Sequence, residues 1–257
     1  MKKITLIVFA IVAFACSTDD VKEGNSKDVV TQQVLPGHNV IKQVLHSFNV
    51  WKTTDLATVF PESITEDRSF TFDKSFFTTS LGDRTLENYR FVLGVKTNKL
   101  QIVCMGVDAD NKVISSILKV GTVNTGAVNL EDVDTQIPPF DTSNSEEDVK
   151  KHILQIKDAI PYLYNWRNAM EDPATLESKV SYDGMRIKHF TIDKDAIAFM
   201  VNRDNVTAVE LVLGLNEENK MTTVFFGKNN KNVIFDDSAI NFALDFTTPC
   251  PSDCNPR

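Results

Sequence analysis

Apolar residues along the chain recur at two alternating periods. At Val40, Ile41, Val44, Leu45, Phe48 and Trp51 they fall three and four apart, the spacing that gathers one stripe on a helix, with Asn39 placed as a cap. Val149, Ile153, Ile156, Ile160 and Leu163 repeat that spacing after Ser145-Glu146-Glu147-Asp148, whose serine and carboxylates suit a helix N-terminus. Pro161 is expected to kink this second helix or end it early. After each helix the apolar runs shorten. They predict strands at 69–72, 76–80, 89–96, 100–107 and 113–118, then at 185–192, 196–201, 208–215, 221–226 and 239–246. Connections as short as Thr97-Asn98 and Asp108-Ala109-Asp110-Asn111 require hairpins, since a parallel crossover needs a dozen residues or more.

The two sets match in register. Phe70-Thr71-Phe72-Asp73-Lys74 and Phe190-Thr191-Ile192-Asp193-Lys194 stand 120 residues apart, and the same offset carries Phe91-Val92-Leu93-Gly94-Val95 onto Leu211-Val212-Leu213-Gly214-Leu215. With one inserted residue, Leu100 and Val103 to Gly106 fall on Met221 and Val224 to Gly227. A period this long is not a solenoid unit. The fold class expected is α+β: two tandem repeats, each a helix packed on an antiparallel β-meander sheet. The repeats would span 37–120 and 145–248, joined by a linker at 121–144 that carries Pro138-Pro139 and few large apolar residues. Gly94 and Gly214 mark a bulge or a close approach of the helix.

The N-terminus obeys neither period. Lys2-Lys3 precedes 12 uncharged, largely apolar residues from Ile4 to Ala15, followed by Cys16, Ser17, Thr18, Asp19 and Asp20. The run is far short of the ~20 residues a membrane-spanning helix requires, and a basic start with small residues at its end is the form of a cleaved export signal. Around Cys16 the segment resembles bacterial lipoproteins, in which the cysteine after the hydrophobic run is acylated and becomes the mature N-terminus. Asp19-Asp20 resembles the signal that sends some lipoproteins to the outer face of the outer membrane. The resemblance covers about the first 20 residues and implies removal of residues 1–15, a lipid anchor at Cys16, and a flexible tether over 16–36, where Val29 to Val34 could pair as an edge strand. Ala13-Phe14-Ala15 also fits ordinary signal cleavage, which would leave Cys16 bare.

Composition narrows the partners. A formal net charge of −8, with 35 acidic against 27 basic side chains, repels phosphate backbones, so nucleic acid is excluded as the expected partner. Seventeen Phe and only 10 Gly and 9 Pro exclude a disordered or collagen-like chain. Of the 4 cysteines, Cys250 and Cys254 lie in Pro249-Cys250-Pro251-Ser252-Asp253-Cys254. In an exported chain they read as a disulfide closing the tail at 249–257; a redox couple or half a metal site are the other readings of C-x3-C. Cys104, within an apolar run, reads as a core filler.

Motifs for chemistry are sparse. His38, His46, His152 and His189 show no paired metal spacing, and there is no nucleophile elbow, phosphate loop or zincin motif, so no metal or cofactor is expected and the sequence identifies no catalytic residue. Asp108 to Lys112 reads as a turn rather than a calcium loop, because a lysine takes a ligand position. Asn205-Val206-Thr207 is read as a loop. Asp73 and Asp193 are expected to cap turns through their side chains. Trp51 and Trp166 are expected as core anchors, and become the binding candidates if exposed. The functional expectation is a lipid-anchored envelope protein, surface-exposed on the outer membrane, acting as a non-catalytic module that binds a protein, glycan or small ligand. The alternatives are a secreted hydrolase with dispersed carboxylates and a structural envelope component.

Overall fold

The structure is a computed structural model that describes residues 36–61, 68–125, 139–143, 145–229, 241–245 and 247–250, with the first six residues of the opening helix described as backbone alone. Cys16, Asp19, Asp20, the 29–34 stretch and Cys254 lie outside them. The chain from residue 35 onward is one compact unit, mixed α+β with antiparallel sheets.

In chain order the first half runs α1 (Pro36–Thr53), α2 (Leu56–Val59), β1 (Arg68–Asp73), α3 (Lys74–Ser80), β2 (Asn88–Lys96), β3 (Lys99–Val107), β4 (Val113–Val120) and β5 (Thr122–Thr125). The second half runs α4 (Glu147–Lys150), β6 (Ile153–Gln155), α5 (Ile156–Met170), α6 (Pro173–Lys179), the hairpin β7 (Ser181–Tyr182) and β8 (Met185–Arg186), β9 (His189–Asp193), α7 (Lys194–Val201), β10 (Ala208–Leu215), β11 (Met221–Lys228), β12 (Phe242–Leu244) and β13 (Thr248–Cys250).

The pairing exchanges strands between the halves. A six-stranded sheet has the order β5-β1-β10-β11-β12-β6, and a five-stranded sheet the order β13-β9-β2-β3-β4. Strand β1 therefore sits beside the second-half hairpin, and β9 beside the first-half hairpin. Their registers correspond: Ser69 to Asp73 oppose Val212 to Ala208, while His189 to Asp193 oppose Val92 to Asn88. An offset of 120 converts either set into the other. The edge strands flank equivalent positions, Thr122 opposite Thr71 and Thr248 opposite Thr191, although the edge residues themselves are 126 apart. The backbone continues the 120-residue offset, since the Lys74 N–H donates to the Thr207 carbonyl at 2.9 Å and the Lys194 N–H to the Glu87 carbonyl at 3.1 Å.

Alternation within the strands builds the layers. Phe70, Phe72, Leu211, Leu213 and Phe225 of one sheet meet Phe91, Leu93, Cys104, Phe190 and Ile192 of the other in a shared core, where the Phe91 and Phe225 rings lie 4.9 Å apart. On the outer face of the six-stranded sheet, Val212, Val224 and Phe226 pack against Ile156, Ala159 and Leu163 of α5. Val103 and Met105 on the outer face of the other sheet pack against Val44 of α1. The order of layers is helix, sheet, sheet, helix.

Glycines set the approach of both helices. A Cβ on Gly94 would fall 2.6 Å from Ser47 Oγ of α1, and one on Gly214 would fall 3.0 Å from Tyr162 Cβ of α5. These are close approaches of the kind expected, and they occur at equivalent positions of β2 and β10.

Several sequence expectations are corrected. Residues 76–80 and 196–201 form α3 and α7 rather than strands; Phe77 and Ser80, and Ile197 with Met200 and Val201, are buried at helical spacing. The single helix expected from Val149 to Leu163 is α4, β6 and α5, because Leu154 joins the sheet beside Ala243. Pro161 lies inside α5 without ending it; burial of Leu163, Trp166 and Met170 beyond it outweighs one lost hydrogen bond. The 185–192 strand is interrupted between β8 and β9. Of the stretch read as a linker at 121–144, residues 126–138 and 144 lie outside the described residues; its start is strand β5, and its Phe140 packs edge-on to Phe199 and tilted against Phe242. Asp73 and Asp193 do stand at helix N-caps with the same backbone angles, φ −60° and ψ 140°, but neither side chain bonds the helix.

Candidate functional site

Each sheet carries one charged residue at the same place on its outer face. Position 210 on β10 corresponds to position 90 on β2, and the residues there are Glu210 and Arg90. Neighbouring strands supply Ser69 and Thr71 around the glutamate, and His189 and Thr191 around the arginine.

Glu210 is fully buried and its carboxylate is saturated. Ser69 Oγ and Asn124 Nδ2 donate to Oε1, the latter at 3.1 Å; Thr71 Oγ1 donates to Oε2 at 2.6 Å, and Lys228 Nζ reaches the same oxygen at 3.4 Å. Four donors fill the acceptor sites of two oxygens. The group ties β5, β1, β10 and β11 in register, and its geometry leaves no lone pair directed at a ligand.

Arg90 is half-buried and has a different environment. Its Nη2 donates to Asn111 Oδ1 at 3.2 Å, its buried Nε has no hydrogen-bond partner, and no carboxylate pairs with it among the described residues. Burial pulls the guanidinium below its ordinary value. Asn111 is fixed in the left-handed region, φ 61°, by a turn in which Asp108 Oδ1 accepts from the Asp110 and Lys112 N–H groups. The Asp108–Lys112 segment is thus a strand-connecting turn that presents an amide to Arg90. His189 is held neutral: burial first, then the nearby Arg90 and Lys188 cations, push its imidazole down to about 3.

Around Arg90 the outer face is apolar. Register puts Thr191, Arg90, Met105 and Leu118 in one row across β9, β2, β3 and β4, and His189, Val92, Val103 and Val120 in the next. Val120 is 38% exposed, while Val92, Val113 and Leu118 are partly exposed around the buried Val103 and Met105.

A second polar group lies within the second half, between the end of β9 and the six-stranded sheet. Each ring nitrogen of buried His152 faces an oxygen acceptor: Nδ1 the Asp245 carbonyl and Nε2 the Asp193 carboxylate, both at 3.1 Å. Lys151 Nζ lies 2.7 Å from the same Asp193 oxygen. The His152 bond, with Lys151 reinforcing it, draws the Asp193 carboxyl down to about 2. Asp245 Oδ1 accepts from Thr222 at 2.7 Å. The Asp193 carboxylate is therefore ionised near neutrality and bound on two sides, which suits a clasp and not a proton donor.

The structure places the residues singled out in the sequence as follows. Trp51 is fully buried and donates from Nε1 to the Ile187 carbonyl at 2.7 Å; Trp166 is buried edge-on to Phe60, with ring centroids 5.5 Å apart. Both are core anchors and neither faces solvent. Cys104 is a buried free thiol, pushed up by burial. Cys250 is buried at the end of β13 and is not a free thiol. No group of three or more metal-ligating side chains occurs among the described residues, and none of their helices is long and apolar enough to cross a membrane. Sequence reading passed over Arg90 and Glu210. The available signal was opposite charge at matched positions of two otherwise apolar strands.

Comparison with protein-family models, with curated proteins and with solved structures found no match to this chain.

Proposed function

We propose that this chain is a lipid-anchored protein of the bacterial cell envelope whose body is a non-catalytic binding module. In this reading residues 1–15 are removed on export, Cys16 carries the acyl chains, and Asp19-Asp20 direct the protein to the surface of the outer membrane. Acyl chains of this kind contribute about 0.8 kcal/mol per buried CH₂, enough with more than one chain for durable attachment. A disulfide between Cys250 and Cys254 closes the tail. The body arose by tandem duplication, a reading supported by the 120-residue offset that relates both the sequence blocks and the exchanged strand registers.

The observation that carries the binding role is the apolar outer face of the five-stranded sheet, partly exposed and edged by Arg90. The alternative hydrolase, with dispersed carboxylates as acid and base, would use one carboxyl held protonated near its working pH. The displaced carboxyls among the described residues, Asp83, Asp141, Glu177 and Asp193, all move downward.

The test of the anchor is the intact mass of the protein purified from its native envelope, with and without reductant. The expected result is a mature chain beginning at Cys16, heavier by its acyl groups and lighter by two hydrogens until reduced. A terminus at Cys16 without acyl mass would overturn the anchor, and an unchanged mass on reduction would overturn the disulfide.

A further inference from the structure

We propose that Arg90 and the apolar rows beside it form a binding site for an aliphatic monocarboxylate, with the carboxylate on the guanidinium and the hydrocarbon chain over Val92, Leu118 and Val120. The proposal rests on the binding-module reading and names its ligand class.

The comparison with Glu210 carries the argument. At equivalent places in two sheets of matched register, the described residues satisfy the buried Glu210 completely and give the half-buried Arg90 a single side-chain acceptor. Buried polar groups are ordinarily paired, and a half-buried guanidinium with an orphaned Nε is an exception that needs a partner. The planar fork of N–H groups selects a carboxylate, which accepts two parallel bonds where a halide accepts one. Asn111 and Thr191 flank it with further hydrogen-bonding groups. Of the remaining neighbours in both rows, Val103 and Met105 are buried against Val44 of α1, while Val92, Leu118 and Val120 keep exposed surface. A short hydrophilic anion would leave that surface in water, whereas an alkyl chain would cover it. In a chain of net charge −8 this cation is also the local feature that draws an anion in.

The experiment uses the full chain and two probes. Nile red reports whether the apolar face binds at all, and octanoate titrated against it reports the carboxylate, with octanol and acetate as controls. The expected result is saturable Nile red fluorescence displaced by octanoate, with octanol and acetate each at least tenfold weaker. The Arg90 Nε–H resonance should shift on octanoate addition. Arg90→Met should keep Nile red binding and weaken octanoate at least tenfold, and Arg90→Lys should lose several-fold, which keeps the test open if the methionine variant fails to fold. Nile red binding without displacement by octanoate overturns the carboxylate while leaving a binding face. Equal displacement by octanol overturns the role of Arg90, and equal displacement by acetate overturns the role of the apolar rows. No Nile red binding overturns the binding-module reading itself.

Discussion

Glu210 and Arg90 illustrate how one position can hold a fold together in one sheet and, among the described residues, keep an unpaired Nε in the other. Removing the Glu210 carboxylate would strand Ser69, Thr71, Asn124 and Lys228 around a buried hole. Glu210→Ala is expected to cost about 3–5 kcal/mol, the range for breaking a buried charged network by deleting one partner, and Glu210→Gln less; urea denaturation of both variants checks the order. His189 gives a pH dependence with a defined sign. Its folded value of about 3 lies below the ordinary 6.5, so the unfolded chain binds the extra proton between them. Its contribution is therefore complete above pH 6.5 and is lost as pH falls towards 3. Between pH 7 and 4.5 the loss is about 2–3 kcal/mol at ~1.4 kcal/mol per pH unit, and His189→Leu is expected to flatten it. Asp193 adds a separate loss only below its ordinary value of 3.8, as pH falls towards about 2. Neither Arg90 nor Glu210 was legible as a site residue, because a charged residue in an alternating strand reads as solvent-facing until its neighbours from other strands are known.

At the scale of elements, the hairpins and the first helix were legible because their signals are local. Thr97 and Asn98 take positive φ values of 51° and 58° between β2 and β3, the turn that a two-residue connection favours. Helices α3 and α7 were misread because a segment of seven or eight residues is too short for strand and helix periods to be told apart. The glycines were read correctly, and their consequence is asymmetric. Gly94→Ala brings a methyl to 2.6 Å from Ser47 Oγ, and Gly214→Ala to 3.0 Å from Tyr162 Cβ. Both are expected to destabilise, within the 1–3 kcal/mol typical of overpacking, with Gly94→Ala the larger; a pair of equal midpoints in urea would contradict this ordering. A further clasp lies at the end of α1, where Arg186 Nη1 donates to the Trp51 and Thr54 carbonyls, each at 2.7 Å, while its other nitrogens grip Glu177. It links the first helix to the second half.

For the whole molecule, the 120-residue offset was legible along the chain and the exchange of strands was not. Strands β1 and β9 would complete either hairpin with the same backbone chemistry, and the choice between near and distant partners leaves no mark in the residues themselves. The exchange makes each half supply a strand to the other's sheet, so residues 36–125 and 145–250 expressed separately are expected not to fold. The most direct test exploits the single tryptophan in each half. In Trp51→Phe the remaining fluorescence reports the second half, and in Trp166→Phe it reports the first. Equilibrium urea unfolding of each variant, followed by fluorescence and far-ultraviolet circular dichroism together, is predicted to give one coincident transition per variant. Two separated transitions, with fluorescence tracking only part of the lost secondary structure, would contradict the interlocked body and restore two independent repeats.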